Sequence, residues 1–304
     1  MDIKRVELKN RARNILTIKY WPLFVMALVP YLGTVAAALF GIGIFFEILF
    51  VSPFNVAYTK ILIDNTEKED IVGYRDLLTF FRENYSDLLK NTFPRDIFLM
   101  LWKIPLMLGL SAIVIGVYSI FSIEIIRGGG ILLGQLTDVD FSEVIEIFTQ
   151  LGINVKELKT ALDDDSIRNQ LLMIFTGFIG MGIIIMLIGT VIYFYKVYSY
   201  YLTNYIIAEN INLNWKEVIG KSKEMMTKCK FFALKLDLSF VGWYLLAFFA
   251  STLLSIVAGP FSVVLMMIGV TMVSVYRDVS VTYMYTYIRG PKNVSYSIID
   301  NEDI

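Results

Sequence analysis

Six long apolar runs alternate with polar segments along the chain. They lie near residues 20–40, 43–63, 95–126, 171–202, 231–257 and 261–288. Each run can form a helix of about 20 residues, the length that crosses the hydrocarbon core of a bilayer. The pattern predicts an all-α, polytopic membrane helical bundle with about six transmembrane helices. Gly-containing segments at 40–43 and 259–260 are the predicted turns before the second and sixth helices.

Two of the polar segments have apolar residues at helical spacing. They are VGYRDLLTFFRENYSDLLKN (72–91) and NWKEVIGKSKEMMTKCK (214–230). Each pattern predicts an amphipathic helix, separate from the span that follows it. Such a helix either lies at the membrane interface or docks on the bundle, and the sequence leaves both alternatives open.

The segment 127–170 is acidic and also has helical periodicity. Asp140 stands three residues before Glu143, the spacing of a capping box, and an apolar face follows. A second amphipathic stretch lies at 154–162. We expect a helical insert here. The run of aspartates at 163–165 lacks the spacing and glycine of a calcium loop, so a helix start is the favoured interpretation.

The charges of the connecting segments predict the orientation of the spans. The N-terminal arm (1–19) and the segment 214–230 are rich in lysine and arginine, whereas 127–170 is acidic. Lys and Arg concentrate in cytoplasmic segments. Six alternating spans place both basic segments on one side, so we expect one integral domain over 1–304 with a cytoplasmic N-terminus and a cytoplasmic tail at 289–304. The first span is interpreted as an uncleaved helix and not as a signal peptide.

Composition limits the chemistry further. The 304 residues are 56% hydrophobic and 18% charged, and the mean hydropathy is +0.62. There is no histidine and one cysteine, Cys229. Histidine-based nucleophile arrangements and thiolate metal clusters are therefore excluded, and we expect no cofactor and no enzymatic activity. With a net charge of −1 and no basic patch away from the membrane flanks, we expect no nucleic-acid partner.

A weak internal repeat pairs ILIDN (61–65) with IIAEN (206–210). Each segment ends a span region and precedes one amphipathic helix and one further span. The two units would have the same orientation in the membrane and be related by an axis along its normal.

Ionisable residues inside the fifth span are the main functional candidates, because charge at membrane depth is costly. Lys235 is shallow enough to reach the headgroups and shares a helix face with Ser239. Asp237 lies deeper, on the opposite face, and needs a partner or a wet cavity. The candidate partners are Lys103, Arg277 and Lys230. An interhelical lock is favoured over a ligand site, and both alternatives remain open.

A longer motif includes this region. AEN at 208–210 is followed by SKEMM at 222–226 and LDLSFVGW at 236–243, and the chain opens with LKNRARNILTIKYW at 8–21. This combination resembles the bacterial family of domains of unknown function 975. The matching positions are Glu209, Asn210, Ser222, Lys223, Met226, Leu236, Asp237, Leu238, Ser239, Phe240, Gly242 and Trp243. Two departures are IGT at 188–190, where the family often has IPG, and Cys229 in place of a common glycine.

The resemblance implies the six-span topology and a Gram-positive-type membrane location, but no mechanism. In this motif, Gly242 and Trp243 can pack against another helix, while Asp237 and Ser239 tie the span to its neighbours. We therefore expect a non-enzymatic accessory or scaffold in export, immunity or the envelope, with an unidentified protein partner. The alternative is a transporter or binder of a small solute or lipid, with anionic headgroups of the inner face as further partners.

Overall fold

The computed structural model describes residues 4–39, 41–68, 72–128, 160, 163–258 and 262–290. All regular secondary structure in these ranges is helical. Within the described residues, six helical stretches are long and apolar enough to cross a membrane. The predictions of an all-α bundle and of a multi-pass membrane protein are confirmed.

The helices are numbered here in chain order. They are α1 (Arg5–Leu39), α2 (Gly43–Phe46), α3 (Ser52–Glu67), α4 (Tyr74–Gly128), α5 (Asp165–Ser199), α6 (Thr203–Glu209), α7 (Trp215–Met226), α8 (Lys230–Ala258) and α9 (Ser262–Arg289). A π-helical turn, Glu47–Val51, joins α2 to α3. The predicted turn after the first span is at Gly41, where a φ of 72° suits a residue without a side chain.

The chain divides into two compact units. Unit 1 comprises residues 1–99 and 196–304, and unit 2 comprises residues 100–195. Within unit 1, α9 packs against α1, α8 and α3, and α3 packs against α6. Phe54 of α3 and Phe240 of α8 are among its largest fully buried side chains. The packing of unit 1 thus brings together segments from both halves of the sequence.

The basic N-terminal segment is part of this packing. It forms the first turns of α1, and Leu8 and Ala12 are completely buried. Lys19 is only 6% exposed, and its Nζ donates to the backbone oxygens of Asn65 (3.1 Å) and Lys68 (2.9 Å). These contacts join α1 to the end of α3.

The first amphipathic segment is not a separate helix, and that prediction was wrong. Residues 74–91 are continuous with the third span in α4, which has 55 residues. The helix passes through Pro94, and Asn91 donates to the carbonyl of Asp87 one turn earlier (3.2 Å). No residue with a positive φ interrupts α4, so the backbone can continue from the polar part into the apolar part.

The second amphipathic segment is a separate helix, α7. The side chain of Asn214 caps it by accepting from the backbone N–H of Lys216 at 3.2 Å. Val218, Ile219 and Met226 on its apolar face are buried. Of the two alternatives for this segment, the structure has the helix docked on the bundle.

In unit 2 the described parts of α4 and α5 approach each other at glycines. A Cβ atom added to Gly109 would lie 2.4 Å from the backbone nitrogen of Met186. One added to Gly189 would lie 2.6 Å from the backbone nitrogen of Leu106. Small residues of this kind allow membrane helices to pack backbone to backbone.

The acidic insert lies largely outside the described residues, as do the predicted turn at 259–260 and the tail beyond residue 290.

Candidate functional site

Asp237 is at the centre of a polar cluster in unit 1. Its Oδ1 accepts from Arg277 Nε of α9 at 2.7 Å and from the Tyr201 hydroxyl at 2.8 Å. Its Oδ2 accepts from the Tyr198 hydroxyl at 3.0 Å. The carboxylate thus receives charge-assisted hydrogen bonds from α9, from the end of α5 and from the residues after it.

Arg277 connects Asp237 to a second carboxylate. Its Nη1 donates to Asp278 Oδ1 at 3.1 Å, and its Nη2 donates to the Tyr201 hydroxyl, also at 3.1 Å. The guanidinium is therefore held between two aspartates. Of the three candidate partners for Asp237, Arg277 is the one that contacts it.

The other candidate residues have separate surroundings. Lys103 belongs to unit 2, where its Nζ lies 5.7 Å from the ring centre of Tyr193. Lys230 is half-buried at the start of α8. The Nζ of Lys235 lies 4.3 Å from the ring centre of Phe231, and its backbone oxygen accepts from Arg5 Nη1 at 3.2 Å.

Ser239 contacts α1, whereas Trp243 faces outwards. Ser239 Oγ accepts from Lys9 Nζ at 3.4 Å, and that Nζ lies 4.4 Å from the ring centre of Phe240. Trp243 is 56% exposed, and a Cβ atom added to Gly242 would meet no other atom within 4 Å. The close helix packing expected at these two positions does not occur in the described part of the chain.

A break in the helix lies beside the cluster. The α-helical pattern stops after Ser199 and resumes at Thr203. The fully buried hydroxyl of Ser222 bridges this break, donating to the Ser199 carbonyl at 3.0 Å and accepting from Leu202 N–H at 3.3 Å. A side chain from α7 thus satisfies backbone groups that a continuous helix would pair internally.

A cavity of about 400 Å³ lies beside this cluster in unit 1. Arg277 and Asp278 form part of its wall on α9, and Arg95 forms part on α4. The wall also includes two amide side chains, Asn55 and Asn204. Five tyrosines complete the polar and aromatic lining: Tyr31, Tyr58, Tyr200, Tyr201 and Tyr205.

Arg95 holds three helices together at the cavity. It is 7% exposed, and its Nε donates to Asp96 Oδ1 at 2.8 Å. It also donates to Ser52 Oγ of α3 and to the side-chain oxygen of Asn204 in α6. Ser52 directly follows the π-helical turn, a type of irregularity that is common at functional sites.

Tyr58 provides a polar group without a hydrogen-bond partner among the described residues. The residue is 6% exposed and lines the cavity. Among the described residues, nothing forms a hydrogen bond with its hydroxyl. A buried polar group without a partner is unfavourable unless water or a ligand satisfies it.

The two halves of the proposed repeat meet at the cavity. Aligning 61–65 with 206–210 makes Asn55 correspond to Tyr200, Tyr58 to Thr203 and Thr59 to Asn204. All six residues line the cavity, and the two helices that carry most of them, α3 and α6, pack against each other.

Arg289 joins the ends of the same two helices. Its Nη2 donates to Glu67 of α3 at 2.7 Å, and its Nη1 donates to Glu209 of α6. The Tyr285 hydroxyl donates to the other oxygen of Glu209 at 2.6 Å. The end of α9 is thus fastened to the ends of α3 and α6.

Among the described residues of the cavity wall, only Arg277 is a sequence candidate, and Arg95, Asp278 and Tyr58 are three polar ones that are not. Arg95 stands at the start of the third predicted span, and Asp278 stands next to Arg277. Tyr58 carries no charge and lies in an apolar run, so no local signal distinguishes it. Arg95 and Asp278 could have been selected because each is an ionisable residue next to or within a long apolar run. Within the described residues, no group of three or more Cys, Asp or Glu is arranged to hold a metal ion.

A family model described as Protein of unknown function (DUF975) matches residues 1–292. The chain belongs to the DUF975 family. The predicted family resemblance is confirmed, and the match includes every described residue of the cavity wall. Neither a curated protein nor a solved structure shows significant similarity to this DUF975 chain.

Proposed function

We propose that this DUF975 protein binds a small polar solute in the cavity of unit 1 and acts as a transporter or membrane-embedded receptor for it. The observation that supports this proposal is a cavity of about 400 Å³ with two arginines, an aspartate and several amide and hydroxyl groups in its wall. Ligand pockets have volumes of about 300–1,000 Å³.

The cavity wall carries charged and polar side chains within a membrane protein. Charged and hydrogen-bonding side chains are expensive to bury there, and they typically mark a substrate or ion pathway. A scaffold could fill the same space with apolar side chains. The cavity, the adjoining helix break and the correspondence of its wall to two repeat units therefore favour the transporter alternative over the accessory role.

The proposal includes a location and an orientation. We place the protein in the bacterial cytoplasmic membrane with both termini in the cytoplasm, because the basic segments share one side of the predicted topology. The lysines and arginines of that side would contact anionic headgroups.

The test combines ligand screening with a variant in which the cavity is filled. The Asn55 side chain lines the cavity and makes no hydrogen bond to another described residue. Asn55→Trp should therefore occupy the space without breaking a bond. Purified protein in lipid nanodiscs would be screened for a rise in melting temperature with a library of small polar metabolites. Any solute that stabilises the protein would then be tested for uptake into proteoliposomes.

The matched control is Leu246→Trp, which adds the same ring at a position that is 59% exposed on α8. The expected result is stabilisation of the wild type and of Leu246→Trp by the same solute, with loss of the effect in Asn55→Trp. Stabilisation of all three proteins alike, or of none by any solute, would contradict the proposal.

A further inference from the structure

We propose that the ligand of this cavity is a small organic cation, held by the Asp278 carboxylate and the surrounding tyrosine rings. This inference rests on the proposed function and specifies the ligand's charge. It follows from the balance of charges in the ion pairs at the wall and directly behind it, the hydrogen bonds already made by the two arginines, and the aromatic lining.

Arg277 is outnumbered by the carboxylates that surround it. Its one positive charge lies between two carboxylates, 2.7 Å from Asp237 and 3.1 Å from Asp278. Asp237 also accepts hydrogen bonds from two tyrosine hydroxyls. With all three groups ionised, this cluster beside the cavity has one negative charge in excess, although Asp237 lies behind the wall. A cationic ligand neutralises it, whereas an anionic ligand adds to it.

Asp278 is the group that can receive the cation. Its Oδ1 accepts from Arg277, while its Oδ2 accepts no hydrogen bond from another described residue. Asp278 also lines the cavity, which Asp237 does not. The second carboxylate oxygen is therefore the available acceptor beside the cavity.

The second arginine gives no excess positive charge. Arg95 forms an ion pair with Asp96 at 2.7 Å. Its Nε and both Nη atoms donate to groups on α3, α4 and α6. An anion would have to displace these partners from a side chain that is 7% exposed.

The aromatic lining and the volume specify an organic cation. Five tyrosines contribute to the wall, and the face of an aromatic ring attracts a cation within about 6 Å. A bare metal ion would fill little of a 400 Å³ cavity. The unpartnered hydroxyl of Tyr58 gives a polar ligand one further contact.

The experiment compares three probes of nearly the same shape and different charge: choline, 3,3-dimethyl-1-butanol and 3,3-dimethylbutanoate. Their binding to the full chain in nanodiscs would be measured by calorimetry and by the shift in melting temperature. Choline should bind at least tenfold more tightly than either of the others. Asp278→Asn should weaken choline binding at least tenfold and change alcohol binding less than threefold. Asp87→Asn, at an aspartate that is 50% exposed and pairs with Lys90, is the control and should leave all three affinities unchanged.

The comparison of the three probes on the wild-type protein does not depend on the stability of the Asp278→Asn variant. If the butanoate or the alcohol binds as tightly as choline, and Asn55→Trp abolishes that binding, the cavity function is supported and the cation assignment is overturned. Choline affinity that is unchanged in a folded Asp278→Asn protein also overturns it. If no probe binds and the metabolite screen yields no ligand, both proposals fail.

Discussion

At position 237 one carboxylate connects three parts of the chain. Two tyrosine hydroxyls from the end of α5 and the residues after it, and one guanidinium from α9, donate to its two oxygens. Its side chain is 19% exposed and that of Arg277 is 31% exposed, so the ion pair is partly shielded from water. Removing the negative charge leaves Arg277 with Asp278 as its remaining carboxylate partner.

We therefore expect Asp237→Asn to lower the free energy of unfolding by about 2 kcal/mol, the usual scale for hydrogen bonds to charged groups. The measurements are the protein's abundance in the membrane and its melting temperature in mild detergent. Asp87→Asn, at an exposed ion pair, should change neither. Equal stability of the two variants would show that the cluster does not hold α8 to α9.

At the scale of single elements, the break between α5 and α6 depends on one hydroxyl. Ser222 is fully buried and satisfies a carbonyl and an N–H group at the break. Ser222→Ala leaves both without this partner. It should lower the free energy of unfolding by about 1–3 kcal/mol, the cost of removing the acceptor of the buried Leu202 N–H.

The matched control for Ser222 is Thr227→Ala, which removes an exposed hydroxyl that bonds within its own turn to Lys223 O at 2.8 Å. Stability would be measured by titration with a denaturing detergent, with helical content as the signal. If the Ser222→Ala protein proved as stable as the Thr227→Ala protein, another group would be satisfying the backbone groups at the break.

The close approach of α4 and α5 at the glycines of unit 2 can also be tested by substitution. A methyl group at Gly109 would lie 2.4 Å from Met186 N and 2.7 Å from Gly182 O, both of them backbone atoms. Gly109→Ala should thus force the two helices apart and cost about 1–3 kcal/mol, the usual cost of overpacking. Gly177→Ala is the control, because an added Cβ there meets nothing within 4 Å and alanine favours the helix. Similar melting temperatures for the two variants would contradict the close approach.

The elements show which features could be read from sequence. The spans were predictable because an apolar run of about 20 residues has few alternatives to a transmembrane helix. The continuity of α4 was not, because the change from polar to apolar residues near position 91 resembles a boundary although the backbone continues. The helix break at 200–202 lies in a tyrosine-rich stretch without glycine or proline, and it is held by Ser222 from a later helix.

At the scale of the whole chain, the candidate site was only partly predictable. Asp237 could be selected because its charge stands inside an apolar run. Choosing Arg277 over Lys103 and Lys230 as its partner required knowing which helices pack together. The cavity was even harder to predict from sequence, since Tyr58, Arg95 and Asp278 come from three separate helices. Their shared location is a property of the packing and has no local sequence pattern.

The predicted orientation of the spans can be tested by cysteine labelling, because the chain has a single cysteine. Cys229 is 8% exposed, and burial raises the pKa of its thiol, so it should react slowly with maleimides at neutral pH. New cysteines can then be introduced with little background labelling.

In intact bacterial cells, a membrane-impermeant maleimide should label Asp140→Cys, in the acidic segment, and should not label Lys4→Cys. The difference is expected because segments rich in lysine and arginine stay inside. After permeabilisation both should be labelled, because the maleimide then reaches both faces. Labelling of Lys4→Cys in intact cells would reverse the orientation and place the basic end of the protein on the outer face.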